Sequence, residues 1–363
     1  MKTPDHPDGI TTEWLTDTLR ATGALTHARV AALNTQLLGN HKGLTGQLAR
    51  VHLDYDTVES AAPRSLVAKF SAPDPQVRDV IHSMGFYERE VRFYEQMAAQ
   101  SRLRTPRCYF SAIDLARGAS LLLLEDLGSA RNGSWIAGCS VTEAELAVRA
   151  IATFHAGWWS HPHLAEKRWL ELRELVSIDH APAAFQQAWE PFLDKLGPRV
   201  TDEVRHAGAW LSAHLGRLCA YLYREPPCTL IHNDYQADNL FFAGADPTLP
   251  FAVADWQLTT RGRAVLDVAW LLGGNLDSVD RRDHELCLLH TYHSLLVDNG
   301  VAEYTFEQCW DDYRLAMLHP VSRIVTAVGI GVVPNEQERG YCDVLIPRYC
   351  RAVHDLDACG PRT

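Results

Sequence analysis

Three polar side chains with complementary chemistry lie in the segment that begins at Ile231. Asp234 is followed five residues later by Asn239, and Asp255 ends the next apolar run. Phosphoryl transfer needs one carboxylate facing the acceptor hydroxyl and separate oxygen ligands for Mg²⁺. Asp234 fits the first role, and Asn239 and Asp255 fit the second. The residue types and their spacing therefore predict a phosphoryl-transfer site.

Asn239 and Asp255 can bind the same ion only if the chain folds back between them. Residues 240–242 and 251–254 are apolar, and the turn-forming segment 244–247 separates them, which predicts a β-hairpin. The alternative is that Asp234 and Asn239 only stabilise a turn, where Asp and Asn are common. Two carboxylates and an asparagine in this order, each beside an apolar strand, favour the site.

Three segments of the chain resemble a known group of enzymes. Residues 232–239, 255–257 and 267–272 are similar to the aminoglycoside phosphotransferase and choline kinase superfamily. The Asp-Trp-Gln form at 255–257 and the paired Trp158 and Trp159 are most similar to its ecdysteroid-kinase-like branch and its bacterial relatives. The resemblance implies an α+β, protein-kinase-like two-lobed fold, with a small β-rich N-lobe and a larger, mainly helical C-lobe.

The resemblance also implies a role for each matching residue. Asp234 would be the catalytic base, and Asn239 and Asp255 the Mg²⁺ ligands. His232 and Asp267 would support the catalytic loop, Asp267 through hydrogen bonds. Asp267 also has a simpler interpretation as a charge near the N-terminus of a helix.

A lysine that binds nucleotide phosphates is expected in the N-terminal part of the chain. The sequence has only five lysines against twenty-nine arginines. One of them, Lys69, ends the strand-like run 65–70, which is close to the Val-Ala-Ile-Lys pattern of kinases. A lysine that protects an edge strand from aggregation is the alternative. Together with the downstream motif, the pattern predicts that Lys69 contacts ATP.

A carboxylate that holds this lysine is expected on the following helix. Between residues 86 and 100, Phe86, Glu90, Phe93 and Tyr94 recur at helical intervals, so Glu90 shares the inward face. Glu90 is therefore predicted to form an ion pair with Lys69. A solvated helix carboxylate is the alternative.

Two further segments are candidates for nucleotide contact. Gly43 and Gly46 lie in a glycine-bearing loop between strand-like runs, where backbone amides can approach phosphates, although an ordinary hairpin turn fits equally well. The apolar run 120–124 ends in Glu125, Asp126 and Leu127. The family resemblance implies that the main chain from Glu125 to Leu127 meets the adenine edge, while a core strand with a polar end explains the same residues.

Composition limits the class of protein. The 363 residues, 47% hydrophobic and 22% charged, are typical of a globular chain long enough for two lobes. Without an apolar stretch of roughly 18 residues or a secretory signal, we expect a cytoplasmic protein with no membrane span. A formal charge of -11 argues against a nucleic-acid partner. The nine cysteines lack C-x-x-C spacing, so neither a disulfide framework nor a zinc site is indicated.

Two domains are predicted. Residues 1–127 form the nucleotide-binding lobe, which begins with a helix capped near Thr11 and ends in the connector strand. Residues 128–363 form the helical lobe with the catalytic loop, the metal site and the acceptor pocket, and include helices near 263–275, 281–299, 306–319 and 335–357.

The acceptor is predicted to be a small-molecule hydroxyl. Asn233 stands where many protein kinases have arginine, and no Ala-Pro-Glu signature follows Asp255, so a peptide acceptor is disfavoured. A cationic acceptor would suit the acidic residues Asp277, Asp280, Asp311 and Asp312, whereas a bulky apolar alcohol would suit Trp270, Trp310, Tyr313 and the segment 324–333. The sequence leaves this choice, the preference for ATP or GTP, and the oligomeric state open.

The predicted function is ATP- and Mg²⁺-dependent phosphorylation of a small-molecule alcohol. The alternative is a nucleotide-binding pseudokinase or regulatory module without turnover. Retention of Asp234 beside the nucleotide-binding residues favours the enzyme, because a protein that only binds nucleotide has no need of a base.

Overall fold

The chain forms two compact units. The computed structural model describes residues 3–38, 45–244, 251–333 and 335–360. The first unit comprises residues 1–100, 105–129 and 255–257, and the second comprises 101–104, 130–254 and 258–363. A three-residue segment that contains Asp255 thus packs with the first unit, although it lies far along the chain.

The first unit contains an antiparallel sheet of five strands. Its helices are α1 (Thr12–Ala21), α2 (Pro75–Ser83) and α3 (Phe86–Gln96). Its strands are β1 (Val30–Leu38), β2 (Gly46–Tyr55), β3 (Ser65–Ser71), β4 (Cys108–Asp114) and β5 (Ala119–Glu125). The strand order is β1-β2-β3-β5-β4, so β3 lies in the interior of the sheet.

Alternation along β3 separates a core face from a functional face. Leu66, Ala68 and Phe70 are buried in a hydrophobic cluster with Trp14 and Leu15 of α1. Because successive side chains of a strand point to opposite faces, Lys69 lies on the other side of the sheet. The predicted capped start of α1 is confirmed, since the Thr11 hydroxyl accepts the Trp14 N–H at 3.1 Å.

The second unit is mainly helical. Its helices are α4 (Val141–Gly157), α5 (Ala181–Leu196), α6 (Asp202–Tyr223), α7 (Val265–Asn275), α8 (Ser278–Asp298), α9 (Phe306–Ala316), α10 (Leu318–Gly329), α11 (Asn335–Gly340) and α12 (Ile346–Asp355). Its short strands are β6 (Arg131–Asn132), β7 (Thr229–Ile231), β8 (Leu240–Phe242), β9 (Ala252–Val253) and β10 (Thr260–Gly262). The sheet with a mainly helical remainder confirms the predicted α+β, kinase-like fold.

Three predicted helix boundaries differ from the structure. The helix expected over 86–100 ends at Gln96, because after Met97 its apolar stripe has no further member to bury. The helix expected over 306–319 is divided into α9 and α10, and α10 continues to Gly329. The helix expected over 335–357 contains a π-helical turn at Tyr341–Leu345 between α11 and α12. π-Helical turns are rare and often mark functional sites.

Two further features concern the cysteines and the apolar character of the helices. All nine cysteines are free thiols. None of the helices in the described ranges has both the length and the apolar character needed to cross a bilayer.

Candidate active site

Lys69 is held between two carboxylates of the first unit. Its Nζ lies 2.7 Å from Glu90 Oε2 and 2.9 Å from Asp255 Oδ1. We call these three residues the lysine cluster. Glu90 is 3% exposed, and its ion pair with Lys69 is the one that the helical periodicity predicts. The edge-strand interpretation of Lys69 is wrong, because β3 is flanked by β2 and β5.

The Asp255–Gln257 segment is fixed to β3 and α3 by three separate contacts. Asp255 pairs with Lys69 of β3, and the ring of Trp256 stacks on Phe93 of α3 with centroids 3.9 Å apart. Arg89 Nε of α3 donates to the carbonyl of Gln257 at 3.0 Å. The backbone of Asp255 has a φ of 63°, a left-handed conformation that few non-glycine residues adopt without support from their surroundings. The contacts of Trp256 and Gln257 with α3 supply this support.

Arg89 is a buried residue that was not predicted from the sequence. It is fully buried, and its second guanidinium nitrogen donates to Met84 O at 2.7 Å. Its neighbour Glu90 stood out because it shares the periodicity of the aromatic residues, whereas an arginine beside it is normally assigned to the solvent. Only the carbonyl groups brought to it by the fold reveal its role.

Charge in the lysine cluster is unbalanced. One ammonium group faces two carboxylates, so the cluster carries an excess of negative charge. Burial would lower the pKa of Lys69, but Asp255 and Glu90 outweigh it and raise the pKa overall. Burial, reinforced by Asp255, raises the pKa of Glu90 to about 7 against the opposing effect of Lys69. The cluster is therefore suited to receive a further cation.

The predicted catalytic loop lies in the second unit. The predicted hairpin is confirmed, since Leu240 pairs with Val253 and Phe241 with Ala252. Asn239 Nδ2 donates to Asp234 Oδ2 at 3.1 Å, which leaves the amide oxygen of Asn239 on the opposite side of the group. Asp234 Oδ1 accepts from Gln236 Nε2 at 3.0 Å. The Asp234 carboxylate is thus oriented through both of its oxygen atoms.

The residue that precedes Asp255 is tied to this loop. Ala254 N–H donates to Asn239 O, and His232 Nε2 donates to Ala254 O, each at 3.0 Å. Asp255 itself belongs to the first unit. The chain therefore passes directly from the hydrogen bonds of the catalytic loop to the lysine cluster.

A buried network fixes the backbone at the start of the loop. Asp267, which is fully buried, accepts the N–H groups of His232 and Asn233, both at 2.7 Å. His155 Nε2 donates to Asp267 Oδ2 at 3.0 Å, and the Tyr292 hydroxyl lies 2.8 Å from His155 Nδ1. Because a carboxylate only accepts, His155 Nε2 carries the proton of its bond to Asp267, and His155 Nδ1 shares the other bond with the Tyr292 hydroxyl. We call these contacts the Asp267 network.

The remaining predicted nucleotide contacts have mixed outcomes. Gly43 lies outside the described residues. Gly46 begins β2 rather than lying in a loop, and a Cβ atom there would collide with the carbonyl of Phe70, so packing alone requires glycine. The N–H of Glu125 donates to Arg107 O at 2.8 Å and is not available to an adenine ring. Leu127 follows β5 in irregular structure.

The carboxylates proposed to attract a cationic acceptor are largely engaged. Asp277 caps α8 by accepting the N–H groups of Val279 and Asp280. Asp312 is buried and pairs with Arg263 at 2.7 Å. The apolar alternative is no better placed, because Tyr313 is fully buried and donates to Glu285.

The oxygen donors fit Mg²⁺ better than they fit a dedicated metal cage. Within the described ranges, no group of three or more His, Cys, Asp or Glu side chains could hold an ion. Mg²⁺ normally keeps several water molecules and takes only one or two protein ligands beside substrate phosphates. Asp255 of the first unit carries a carboxylate of this kind, and Asn239 of the second unit carries an amide oxygen.

Comparisons with known proteins agree with this geometry. The family model described as the ecdysteroid kinase-like family matches residues 41–301. A candidate aminoglycoside phosphotransferase from Ralstonia eutropha is 16% identical with a TM-score of 0.56, covering 96% of this chain and 98% of that one. A microcompartment-associated aminopropanol kinase is 15% identical with a TM-score of 0.53, covering 96% and 100%.

A third solved structure and the curated proteins complete the comparison. The GDP complex of wild-type aminoglycoside 2'-phosphotransferase-IIIa is 11% identical with a TM-score of 0.52, covering 96% of this chain and 99% of that one. At such identities the likeness is one of fold. No curated protein matches the sequence.

Proposed function

Because the chain belongs to the ecdysteroid kinase-like family, we propose that it is an ATP- and Mg²⁺-dependent kinase that phosphorylates a hydroxyl group of a small molecule. The observation that carries this proposal is the lysine cluster, in which a buried ammonium is held by Glu90 and by Asp255, one residue beyond the catalytic loop. A protein that only needed a stable core would gain little from a buried cluster with unbalanced charge. A divalent cation bound together with the nucleotide would balance it.

The first unit would bind the nucleotide. Lys69 would donate to the phosphates, and Glu90 would orient Lys69. Asn239 and Asp255 would hold Mg²⁺, which supplies neutralisation of phosphate charge when bound. One of the solved structures supports a nucleotide cofactor, since that of aminoglycoside 2'-phosphotransferase-IIIa is described as a GDP complex.

Asp234 would act on the acceptor. The acceptor oxygen forms a bond to the γ-phosphorus, and the bond from that phosphorus to the bridging oxygen of ATP breaks with its electron pair leaving on ADP. The acceptor proton passes to the Asp234 carboxylate and then to solvent. Hydrogen bonds from Gln236 and Asn239 keep the carboxylate facing one direction, so little reorganisation is needed.

ADP release from the purified protein tests this proposal. The acceptors should include amino sugars, nucleosides, macrolides, sterols, choline-like alcohols and hydroxy acids, with ATP and GTP compared. We expect turnover with at least one acceptor and a loss of about 10²–10⁴-fold in Asp234→Ala, because a general base contributes that much. Stabilisation by Mg-ATP in a thermal shift should persist in the variant.

Asp298→Ala provides the matched control, since Asp298 is an exposed residue at the end of α8. It should retain wild-type turnover. Equal turnover by Asp234→Ala and the wild type would contradict the assignment of the base. Binding of Mg-ATP without turnover of any acceptor, water included, would instead identify a nucleotide-binding module.

A further inference from the structure

Arg323 is a partly buried cation without a counter-ion. It lies on α10 and makes no hydrogen bond or ion pair with any group that the structure describes in 3–38, 45–244, 251–333 or 337–360. Two more deeply buried arginines of the second unit are paired, Arg263 with Asp312 and Arg281 with Glu285. An unpaired guanidinium that is partly removed from water destabilises the fold. We therefore expect Arg323 to bind a ligand.

A chain of contacts leads from the catalytic loop to the position of Arg323. Asn233, the neighbour of Asp234, accepts from the Tyr223 hydroxyl at 2.8 Å. Tyr223 OH lies 2.9 Å from His319 Nε2 on α10. Arg323 is four residues beyond His319, so the two share one face of the helix a single turn apart. Burial, and then Arg323, lowers the pKa of His319 well below its usual value, so the imidazole adds no positive charge.

A second chain of contacts leads from the same loop to Tyr341. Asp238 Oδ1 accepts the Trp135 N–H at 2.8 Å, and the rings of Trp135 and Tyr341 lie 5.1 Å apart. Gly340 permits this approach, because a Cβ atom there would collide with the Trp135 ring. Tyr341 begins the π-helical turn. The hydroxyl of Tyr341 has no hydrogen-bond partner within the described part of the chain.

Asp234 and Arg323 both act on Tyr341. Burial, and then the charge of Asp234, raises the pKa of Tyr341 to about 12, whereas Arg323 opposes that rise. The phenol therefore stays protonated at neutral pH and can donate a hydrogen bond. A base, a hydrogen-bond donor and a cation thus come from the catalytic loop, the π-helical turn and α10.

Two carboxylates, one on α11 and one in the π-helical turn, are paired with other cations. Glu338 of α11 pairs with Lys195 at 2.7 Å. Asp343, within the π-helical turn, pairs with Arg199. Neither is free to neutralise Arg323.

We propose that the acceptor is a hydroxy acid, whose carboxylate binds the Arg323 guanidinium while its hydroxyl faces Asp234. This inference rests on the proposed kinase function and gives its substrate class. Arg323 is a specificity residue that binds the acceptor, and Tyr341 donates a hydrogen bond to it. A cationic amino sugar or choline-like alcohol would meet repulsion from Arg323, which is the opposite of what the acidic residues of the sequence suggested.

Paired acceptors test the charge of the substrate. ADP release is measured with Mg-ATP for a panel of sugar acids, hydroxybenzoates and aliphatic hydroxy acids, each beside its methyl ester. We expect the acid to exceed its ester in kcat/KM by about 10- to 100-fold, which is the range of a charge-assisted hydrogen bond. Arg323→Gln should erase that difference by raising the KM of the acid, with little change in kcat or in the KM of ATP. Arg323→Lys should lie between the two.

Folding and surface charge are controlled separately. Arg323→Gln should unfold at the wild-type temperature or above it, because it removes an unpaired cation. Arg149→Gln, an exposed arginine paired only with Glu145 four residues away, should leave the ratio of acid to ester unchanged.

Four outcomes separate this inference from the function on which it rests. Faster phosphorylation of esters or amino alcohols than of acids would overturn the inference and leave the kinase function intact. An Arg323→Gln effect confined to the KM of ATP, or equal for acid and ester, would overturn it as well. A panel in which other alcohols are phosphorylated but no hydroxy acid is would do the same. Failure of the protein to bind Mg-ATP or to turn over any acceptor would overturn the kinase function instead.

Discussion

The lysine cluster and the Asp267 network are both built around buried carboxylates, but they differ in how completely those carboxylates are satisfied. Asp267 is fully buried and accepts from two backbone N–H groups and one imidazole. In the lysine cluster, Glu90 and Asp255 share one lysine, and the Asp255 side chain is 33% exposed. The Asp267 network is complete as folded, whereas the lysine cluster has capacity left for a ligand.

This difference separates a support from a binding site. A completed buried network fixes the backbone, and removing an acceptor leaves donors without partners. A cluster with excess negative charge stores an unfavourable interaction that a cation relieves on binding. Sites of function commonly cost stability in this way. The same chemical change, from carboxylate to amide, should therefore have opposite consequences in the two places.

The largest effect on stability is expected from Asp267→Asn. The amide has one accepting atom, so one of the three donors that face Asp267 must lose its partner or oppose an N–H group. We expect the free energy of unfolding to fall by about 2–4 kcal/mol, measured by urea denaturation. Asp277→Asn is the control, since asparagine caps a helix as well as aspartate does and should change stability by less than about 0.5 kcal/mol. A loss as small as that in Asp267→Asn would show that the network is not a support.

Glu90→Gln, unlike Asp267→Asn, is expected to cause no loss of stability. Removing one carboxylate leaves Lys69 and Asp255 as a balanced pair, so the protein should not lose stability at pH 8. Because the pKa of Glu90 is raised to about 7 from 4.5, ionisation of Glu90 destabilises the folded wild type as the pH rises between those values. Its stability relative to Glu90→Gln should therefore fall from pH 4.5 to pH 7 and stay constant above that, by on the order of 2 kcal/mol in total.

Glu90→Gln should impair activity although it does not impair stability. Glu90→Gln should raise the KM of ATP by roughly 10-fold or more, because Lys69 is then oriented from one side only. Urea denaturation across the pH range and steady-state kinetics measure the two effects. A variant that loses stability at pH 8 while it retains the wild-type KM would reverse the comparison.

Local patterns in the sequence were enough to predict the Lys69–Glu90 ion pair of the lysine cluster. The strand-like run 65–70 and its similarity to the Val-Ala-Ile-Lys pattern indicated Lys69, and the helical period placed Glu90 on the inward face of α3. Both signals are short local patterns, which is why the ion pair was predictable. The hairpin between Asn239 and Asp255 was predictable for the same reason.

Contacts across long sequence distances were not predictable. His155 meets Tyr292 across 137 residues, and Arg89 meets Gln257 across 168. Aromatic and histidine residues at helical spacing indicate burial but not a partner, and an arginine gives no burial signal. Arg323 was missed because the sequence contains nothing to show that a helical arginine lacks a counter-ion. Those features depend on which elements pack together, and that is a property of the fold.

The smallest effect is expected from Tyr292→Phe, which tests whether the Asp267 contacts act as one unit. The ring remains, so no cavity forms, and His155 Nδ1 loses only its hydroxyl partner. We expect a loss of about 1 kcal/mol in the free energy of unfolding, with turnover unchanged. In the Asp267→Asn background, the imidazole is free to turn or change its tautomer, so the same substitution should cost less by 0.5 kcal/mol or more. Strictly additive losses in this double-mutant cycle would mean that Tyr292, His155 and Asp267 are independent contacts, and the distinction between a connected support and an incomplete site would then rest on the lysine cluster alone.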